Sequence, residues 1–254
     1  MKRLLKWVGL VLLAIALGLV GIVWASFRGL APIEDGRKLD GVQVVKDGIV
    51  ACYLVDLGGR EVALVDACND KSATAVLGAL AQRGLGPDAV KAILLTHGDQ
   101  DHIGGALAFP QAQVMALAPD VPLVEGRESR FLPWLISPKD TGVRVARALA
   151  DGETVALSGV VFRVYAVPGH TKGSAAFLAR GVLFMGDSAE TTSAGALAAA
   201  KRLTTPEPAQ NRASLAKLAQ RLAPSAADVR IIAPAHSGVL VKGLAPLADL
   251  ARTH

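Results

Sequence analysis

Two histidines and two aspartates fall within six residues, in the string Thr96-His97-Gly98-Asp99-Gln100-Asp101-His102-Ile103-Gly104-Gly105. Imidazole and carboxylate side chains set this close together are the donor set of a divalent cation such as zinc or iron. A polar turn that caps the next helix would use one of the carboxylates as its N-cap. It would leave the second carboxylate and both imidazoles unexplained.

The rest of the chain supplies donors to complete such a site. His170 follows the apolar run Val160–Ala166, inside Val167-Pro168-Gly169-His170-Thr171-Lys172-Gly173-Ser174. Asp187 follows Gly181-Val182-Leu183-Phe184, and His236 follows Val229-Arg230-Ile231-Ile232. Each comes after a short β-prone run and is flanked by Gly or Pro, the pattern of a loop at a strand end. Of the five histidines, only the terminal His254 lies outside such a loop. A Ser-His-Asp arrangement competes poorly: Ser174 and Ser188 lie near His170 and Asp187, but neither sits in a Gly-x-Ser-x-Gly elbow. Ser237 and Thr171 read as hydrogen-bond partners of the neighbouring ligands rather than nucleophiles. No glycine-rich phosphate cradle occurs.

The pattern resembles the metallo-β-lactamase-fold superfamily, whose signature is His-x-His-x-Asp-His followed by a distant His, Asp and His. The resemblance extends from about residue 42 to 241. It includes Cys52-Tyr53-Leu54-Val55-Asp56 and Val62-Ala63-Leu64-Val65-Asp66 as the opening hairpin, and Asp151-Gly152-Glu153-Thr154 before the third histidine motif. The resemblance implies an α/β fold, the four-layer αββα sandwich, with two metal ions, most readily zinc. The first ion would have His97, Asp99 and His170; the second would have Asp101, His102 and His236, with Asp187 bridging. Such ions share a water, lower its pKa to near neutrality and polarise the oxygen under attack. Asp101, with one oxygen to spare, is the candidate general base.

Asp99 departs from the pattern, standing where the second motif histidine belongs. As a harder, charged ligand it would weaken the Lewis acidity of the first ion and shift preference toward iron or manganese. Direct ligation, a role behind the ligands and an empty first position all remain open. The resemblance therefore implies two readings. The first is a dinuclear hydrolase whose bridging hydroxide attacks a small carbonyl substrate: an ester, thioester, lactone or β-lactam. Thr96-His97 and Pro168-Gly169-His170-Thr171 resemble hydroxyacylglutathione hydrolase-like members, but these motifs are too widely shared to fix a substrate. The second is a di-iron or iron-dependent redox enzyme, reducing oxygen or nitric oxide or acting as a sulfur dioxygenase. It is motivated by Asp99 and opposed by the lack of an electron-carrier domain in 254 residues. Metal binding without catalysis is a third possibility, requiring a closed site.

These side chains need a scaffold. Strand-like runs occur at 42–45, 50–56, 61–66, 91–96, 113–117, 154–157, 160–167, 175–179, 182–185 and 229–233. Helices are expected near 71–83, from about 103, and near 208–222. Residues 118–150 read as an irregular insertion roofing the site, with Phe131, Leu132, Trp134 and Leu135 either lining a pocket or forming a plain core cluster. Residues 194–200 read as a helix or a mobile loop. A two-residue turn at Gly58-Gly59 would place Leu57 opposite Arg60 and Cys52 opposite Val65. Cys68 then falls on the other face if the strand continues, so a Cys52–Cys68 bridge is not expected unless the chain leaves the strand after Asp66.

The N-terminus bears on location. Lys2, Arg3 and Lys6 precede nineteen residues, Trp7 to Ala25, that carry no charge, enough to span a bilayer at 1.5 Å per residue. Trp7 and Trp24 sit at its two ends as interfacial aromatics do. Residues 1–28 thus read as a transmembrane anchor, or as a signal segment cleaved after Val23-Trp24-Ala25, and residues 29–254 as one catalytic domain. Either alternative puts that domain outside the cytoplasm: on the cell membrane if anchored, periplasmic or secreted if cleaved. The chain has 27 Lys and Arg against 22 Asp and Glu, a formal net charge of +5. Four of those bases and no acids lie in residues 1–28, so the remainder is near neutral and carries no nucleic-acid footprint. The expected partners are a small-molecule substrate and the cytoplasmic membrane.

Overall fold

Strands with apolar residues on both faces build two stacked sheets. The computed structural model describes residues 27–130 and 137–252, with 6, 7, 9–14, 16, 18 and 21 of the N-terminal stretch. The first sheet runs, in spatial and chain order, β1 (Lys38–Leu39), β2 (Val42–Asp47), β3 (Val50–Gly58), β4 (Glu61–Val65), β5 (Val90–Leu94), β6 (Gln113–Leu117) and β7 (Arg147–Leu149). The second is formed by β8 (Thr154–Leu157), β9 (Val160–Ala166), β10 (Ala175–Ala179), β11 (Val182–Gly186) and β14 (Ile231–Pro234), in the order β14-β11-β10-β9-β8. A separate hairpin joins β12 (Ala189–Thr191) to β13 (Leu197–Ala199).

The two-residue period of each strand sorts its side chains between layers. From β3, Ala51, Tyr53, Val55 and Leu57 enter the core between the sheets. Val50, Cys52 and Leu54 face the opposite way, into the layer that contains the helix Thr74–Gln82. In β10, Phe177 points between the sheets while Ala176 and Leu178 pack toward the helices Pro208–Leu222 and Ala245–Arg252. The result is the expected αββα arrangement. Burial on both faces explains why these strands read as continuous apolar runs.

Strand direction gathers the ligand loops. β4, β5 and β6 are mutually parallel, β11 is parallel to β14, and β9 and β11 both run antiparallel to β10. The carboxyl ends of β5, β9, β11 and β14 lead to His97, His170, Asp187 and His236.

Several expectations change. No long helix begins near 103; one turn, Gln100–Ile103, ends at Gly104, where a Cβ would lie 2.1 Å from the Asn69 carbonyl oxygen. Residues 194–200 are neither helix nor loop throughout, because Leu197–Ala199 pairs with Ala189–Thr191. The irregular stretch contains the one-turn helix Val121–Val124 and ends in β7. Phe131, Leu132, Trp134 and Leu135 lie outside the described residues.

The hairpin register is also off by one. Tyr53, not Cys52, faces Val65, because the ladder is irregular between Asp56 and Gly58 and Gly58 pairs with Glu61. β4 ends at Val65, and Asp66 turns the chain with φ of 59°. With Tyr53 opposite Val65, Cys52 and Cys68 both fall on the other face, and the two form a disulfide with Cα atoms 5.4 Å apart. The expectation of unbridged cysteines is corrected by that register.

Among the described residues, no helix is long and apolar enough to cross a membrane. Trp24 lies outside them.

Candidate metal centre

All seven sequence-predicted donors converge at this edge. His97, His170 and Asp187 form one group and Asp101, His102 and His236 another, with the donor atoms of each group within 4.8 Å of one another. Asp187 lies between them: Oδ1 is 3.2 Å from His102 Nε2 and 3.3 Å from His236 Nε2, while Oδ2 is 3.4 Å from His170 Nε2. Asp101 Oδ2 is 3.1 Å from His236 Nε2. Asp99 Oδ2 is 3.5 Å from His97 Nε2 and 3.3 Å from His170 Nε2.

The ring orientations follow from what the other nitrogens touch. His102 Nδ1 donates to Asp66 Oδ2 at 2.9 Å, and His236 Nδ1 donates to the Ile49 carbonyl at 2.8 Å. Asp66 also accepts from Thr96 N at 2.7 Å and from Thr96 Oγ1 at 2.8 Å. With its proton committed there, the Thr96 hydroxyl accepts from His97 Nδ1 at 3.1 Å. His170 Nδ1 meets Thr205 Oγ1 at 3.3 Å. Each histidine is thus held by Nδ1 and directs an Nε2 lone pair inward, as metal-binding imidazoles are held by their outer partners.

This donor set fits a cation. His97 Nε2, His102 Nε2 and Asp187 Oδ1 are buried and lack hydrogen-bond partners. With His102 neutral, its Nε2 lone pair would face Asp187 Oδ1 at 3.2 Å, which is costly unless a proton or a metal ion supplies positive charge between them. The titration behaviour expresses the same demand. Burial opposes protonation of His102 and His236, yet Asp66 and Asp187 hold the first well above the imidazole range. Asp187 and Asp101 push the second up to about 10. At Asp187, burial is outweighed by His236 and His102, which keep the carboxyl well below its usual range.

Besides Asp66 and Thr205, two further anchors escaped the sequence reading. Asp120, buried, accepts from Gly98 N at 2.7 Å and Gly173 N at 2.9 Å, stitching the His97 loop to the His170 loop. A Cβ on Gly173 would lie 2.4 Å from Asp120 N, so only glycine lets the two loops meet. Arg130 places one guanidinium nitrogen on Asp99 Oδ2 and donates through the other to the carbonyls of His170, at 2.7 Å, and Thr204, at 2.9 Å. Burial raises the Asp99 pKa, but contacts from His170, His97 and Arg130 overcome it and keep the group ionised. Thr171 and Ser237 brace loops instead of touching the rings: Thr171 bonds Ser174, and Ser237 accepts from Thr191 N. The centre opens into a cavity of about 700 Å³ whose wall includes Asp101, Asp99 and His170.

The chain is similar to known proteins both in sequence and in fold. Hydroxyacylglutathione hydrolase of Yersinia pestis (strain Pestoides F) is 33% identical over 146 residues, 57% of this chain and 48% of that protein. Hydroxyacylglutathione hydrolase of Xanthomonas euvesicatoria pv. vesicatoria (strain 85-10) is 39% identical over 113 residues, covering 44% and 37%. The chain spans about half the length, or less, of these curated relatives. Among solved structures, a B3 metallo-β-lactamase characterised as the first with an active-site glutamic acid superposes with a TM-score of 0.65. It covers 91% of this chain and 92% of its own at 21% identity, a likeness of fold. A metallo-β-lactamase family protein from Thermus thermophilus gives a TM-score of 0.61 at 26% identity over 85% and 80%. The family model described as the metallo-beta-lactamase superfamily matches residues 45–236, well over half the sequence and a range that spans the donors described above, and the chain belongs to that superfamily.

Proposed function

We propose that this protein is a metal-dependent hydrolase of a small carbonyl compound (an ester, thioester, lactone or β-lactam), working with two divalent ions, zinc before iron or manganese. The carrying observation is the convergence of four inward Nε2 atoms on three carboxylates, with every Nδ1 engaged elsewhere. When bound, the ions acidify a water and polarise the substrate oxygen. The residues divide the remaining work. Asp101 keeps Oδ2 toward His236 and is partly exposed to the cavity, so Oδ1 can take the proton of the attacking water. Contacts with His236 outweigh burial and hold the Asp101 carboxyl below its usual range, so it is ionised and ready to accept. Asp66 and Thr96 keep His97 and His102 aimed.

The iron redox reading rested on the additional charge of Asp99. Arg130 offsets that charge on the oxygen nearest His97 and His170, which removes the reason for preferring a harder ion. An extracytoplasmic site of action is supported by the Cys52–Cys68 bridge, since structural disulfides persist in oxidising compartments.

Elemental analysis of the full chain, purified without added metal, followed by an ester, thioester, lactone and β-lactam screen, tests the reading. About two zinc per chain with turnover of one such class is expected. Two iron per chain, with oxygen or nitric oxide consumption and no hydrolysis, would overturn it.

A further inference from the structure

Residues 7–25 carry no charge. Within them Leu10, Val11, Leu12 and Leu13 are consecutive helical positions, each more than half exposed. At about 100° per residue, four consecutive positions look in every direction around the axis. A helix apolar on all sides and without protein against it is matched by lipid.

The described chain resumes, two positions past this stretch, at Phe27 beside the metal centre. The Phe27 ring meets the His236 ring edge-on, with centroids 6.0 Å apart, and Lys201 Nζ lies 4.0 Å from its centroid. The next residues are fixed on both sides: Ser193 N donates to Gly29 O at 2.8 Å, Ala31 N to Thr191 O at 2.9 Å, and Gly238 N to Ala31 O at 2.9 Å. On the same cavity rim, Ile49 and Leu203 are 59% and 64% exposed. Single exposed apolar residues are ordinary. Two on one mouth, with the half-buried Phe27 on the same rim, form a directed surface.

We propose that the mouth of the metal centre faces a phospholipid bilayer entered by residues 7–25, and that the substrate is a membrane-resident acyl ester or thioester. Its carbonyl meets Asp101 at headgroup level while its chain leaves past Phe27, Ile49 and Leu203. One water cleaves the acyl C–O or C–S bond, giving a carboxylate, a proton and an alcohol or thiol. The substrate class rests on the hydrolase reading; the orientation of the mouth does not.

The two parts separate experimentally. The full chain, metal-loaded in phosphatidylcholine vesicles, is labelled with a fluorophore at Leu203→Cys or at Val161→Cys, the native cysteines being bridged. Val161 is exposed near the start of β9, the end opposite the His170 loop, and serves as the distant reference. Brominated lipid should quench the Leu203 label strongly and leave the Val161 label bright. Equal brightness at both sites, or a chain that does not float with vesicles, overturns the membrane-facing mouth. A long-chain acyl ester carried in the vesicles should be hydrolysed about tenfold faster than a short soluble ester, since each methylene favours the membrane. Preference for the soluble ester overturns the substrate class. Quenching as expected with neither ester hydrolysed sinks the hydrolase reading and leaves the orientation standing.

Discussion

Asp66 touches no metal donor position and yet holds two ligands, His102 directly and His97 through Thr96. Asp66→Asn should lower metal affinity about 10- to 100-fold with the fold intact, as read by chelator competition and circular dichroism. Arg130→Gln should act in the opposite direction at the His97 side. Freed of its guanidinium, Asp99 offers a full carboxylate, and the weaker of two binding steps should tighten about tenfold in a calorimetric zinc titration. Asp101→Asn keeps the size of the side chain and removes its basicity. It should cut kcat about 100-fold or more, with Asp101 the group that single-turnover kinetics identify in the chemical step. The seven donors were legible because each is a metal-binding type placed beside Gly or Pro at a strand end. Asp66, Asp120 and Thr205 were not, because their roles exist only across separations of 36 residues to His102, 53 to Gly173 and 35 to His170. Arg130 stood out only as a charge in an irregular stretch.

The elements that carry these residues were mostly visible in advance. Long strands buried on both faces and the helix Pro208–Leu222 announce themselves by uninterrupted apolar runs or a clean helical period. β1, β7, β12 and β13 are two or three residues long, too short for any period to register. The β3–β4 hairpin failed for a different reason: an irregularity at Asp56–Gly58 shifts register by one, and one residue exchanges every side chain's face. That shift is what makes the disulfide possible. Replacing both cysteines, Cys52→Ala with Cys68→Ala, should cost about 3 kcal/mol, the loop-closure entropy of a sixteen-residue separation, measured by urea unfolding.

Across the whole molecule, the metal centre joins the two sheets. His97 follows a strand of the first sheet; His170, Asp187 and His236 follow strands of the second. An ion among them is a strut between layers otherwise held by the apolar core. Stripping it with a chelator should lower Tm by about 10 °C, the shift for losing a ligand present at about a thousand times its Kd in a domain of this size. An unchanged Tm in a protein shown to bind metal would mean that the sheets set the donors without help.

The disulfide closes sixteen residues that include all of β4 and, at their end, Asp66. A bridge that steadies Asp66 favours the metal-loaded state, and by thermodynamic reciprocity the loaded state must favour the bridge by the same factor. Oxidation and metallation therefore mature together. With both thiols reduced, the Asp66 turn is untied, and metal affinity should fall by the same factor by which metal favours the bridge.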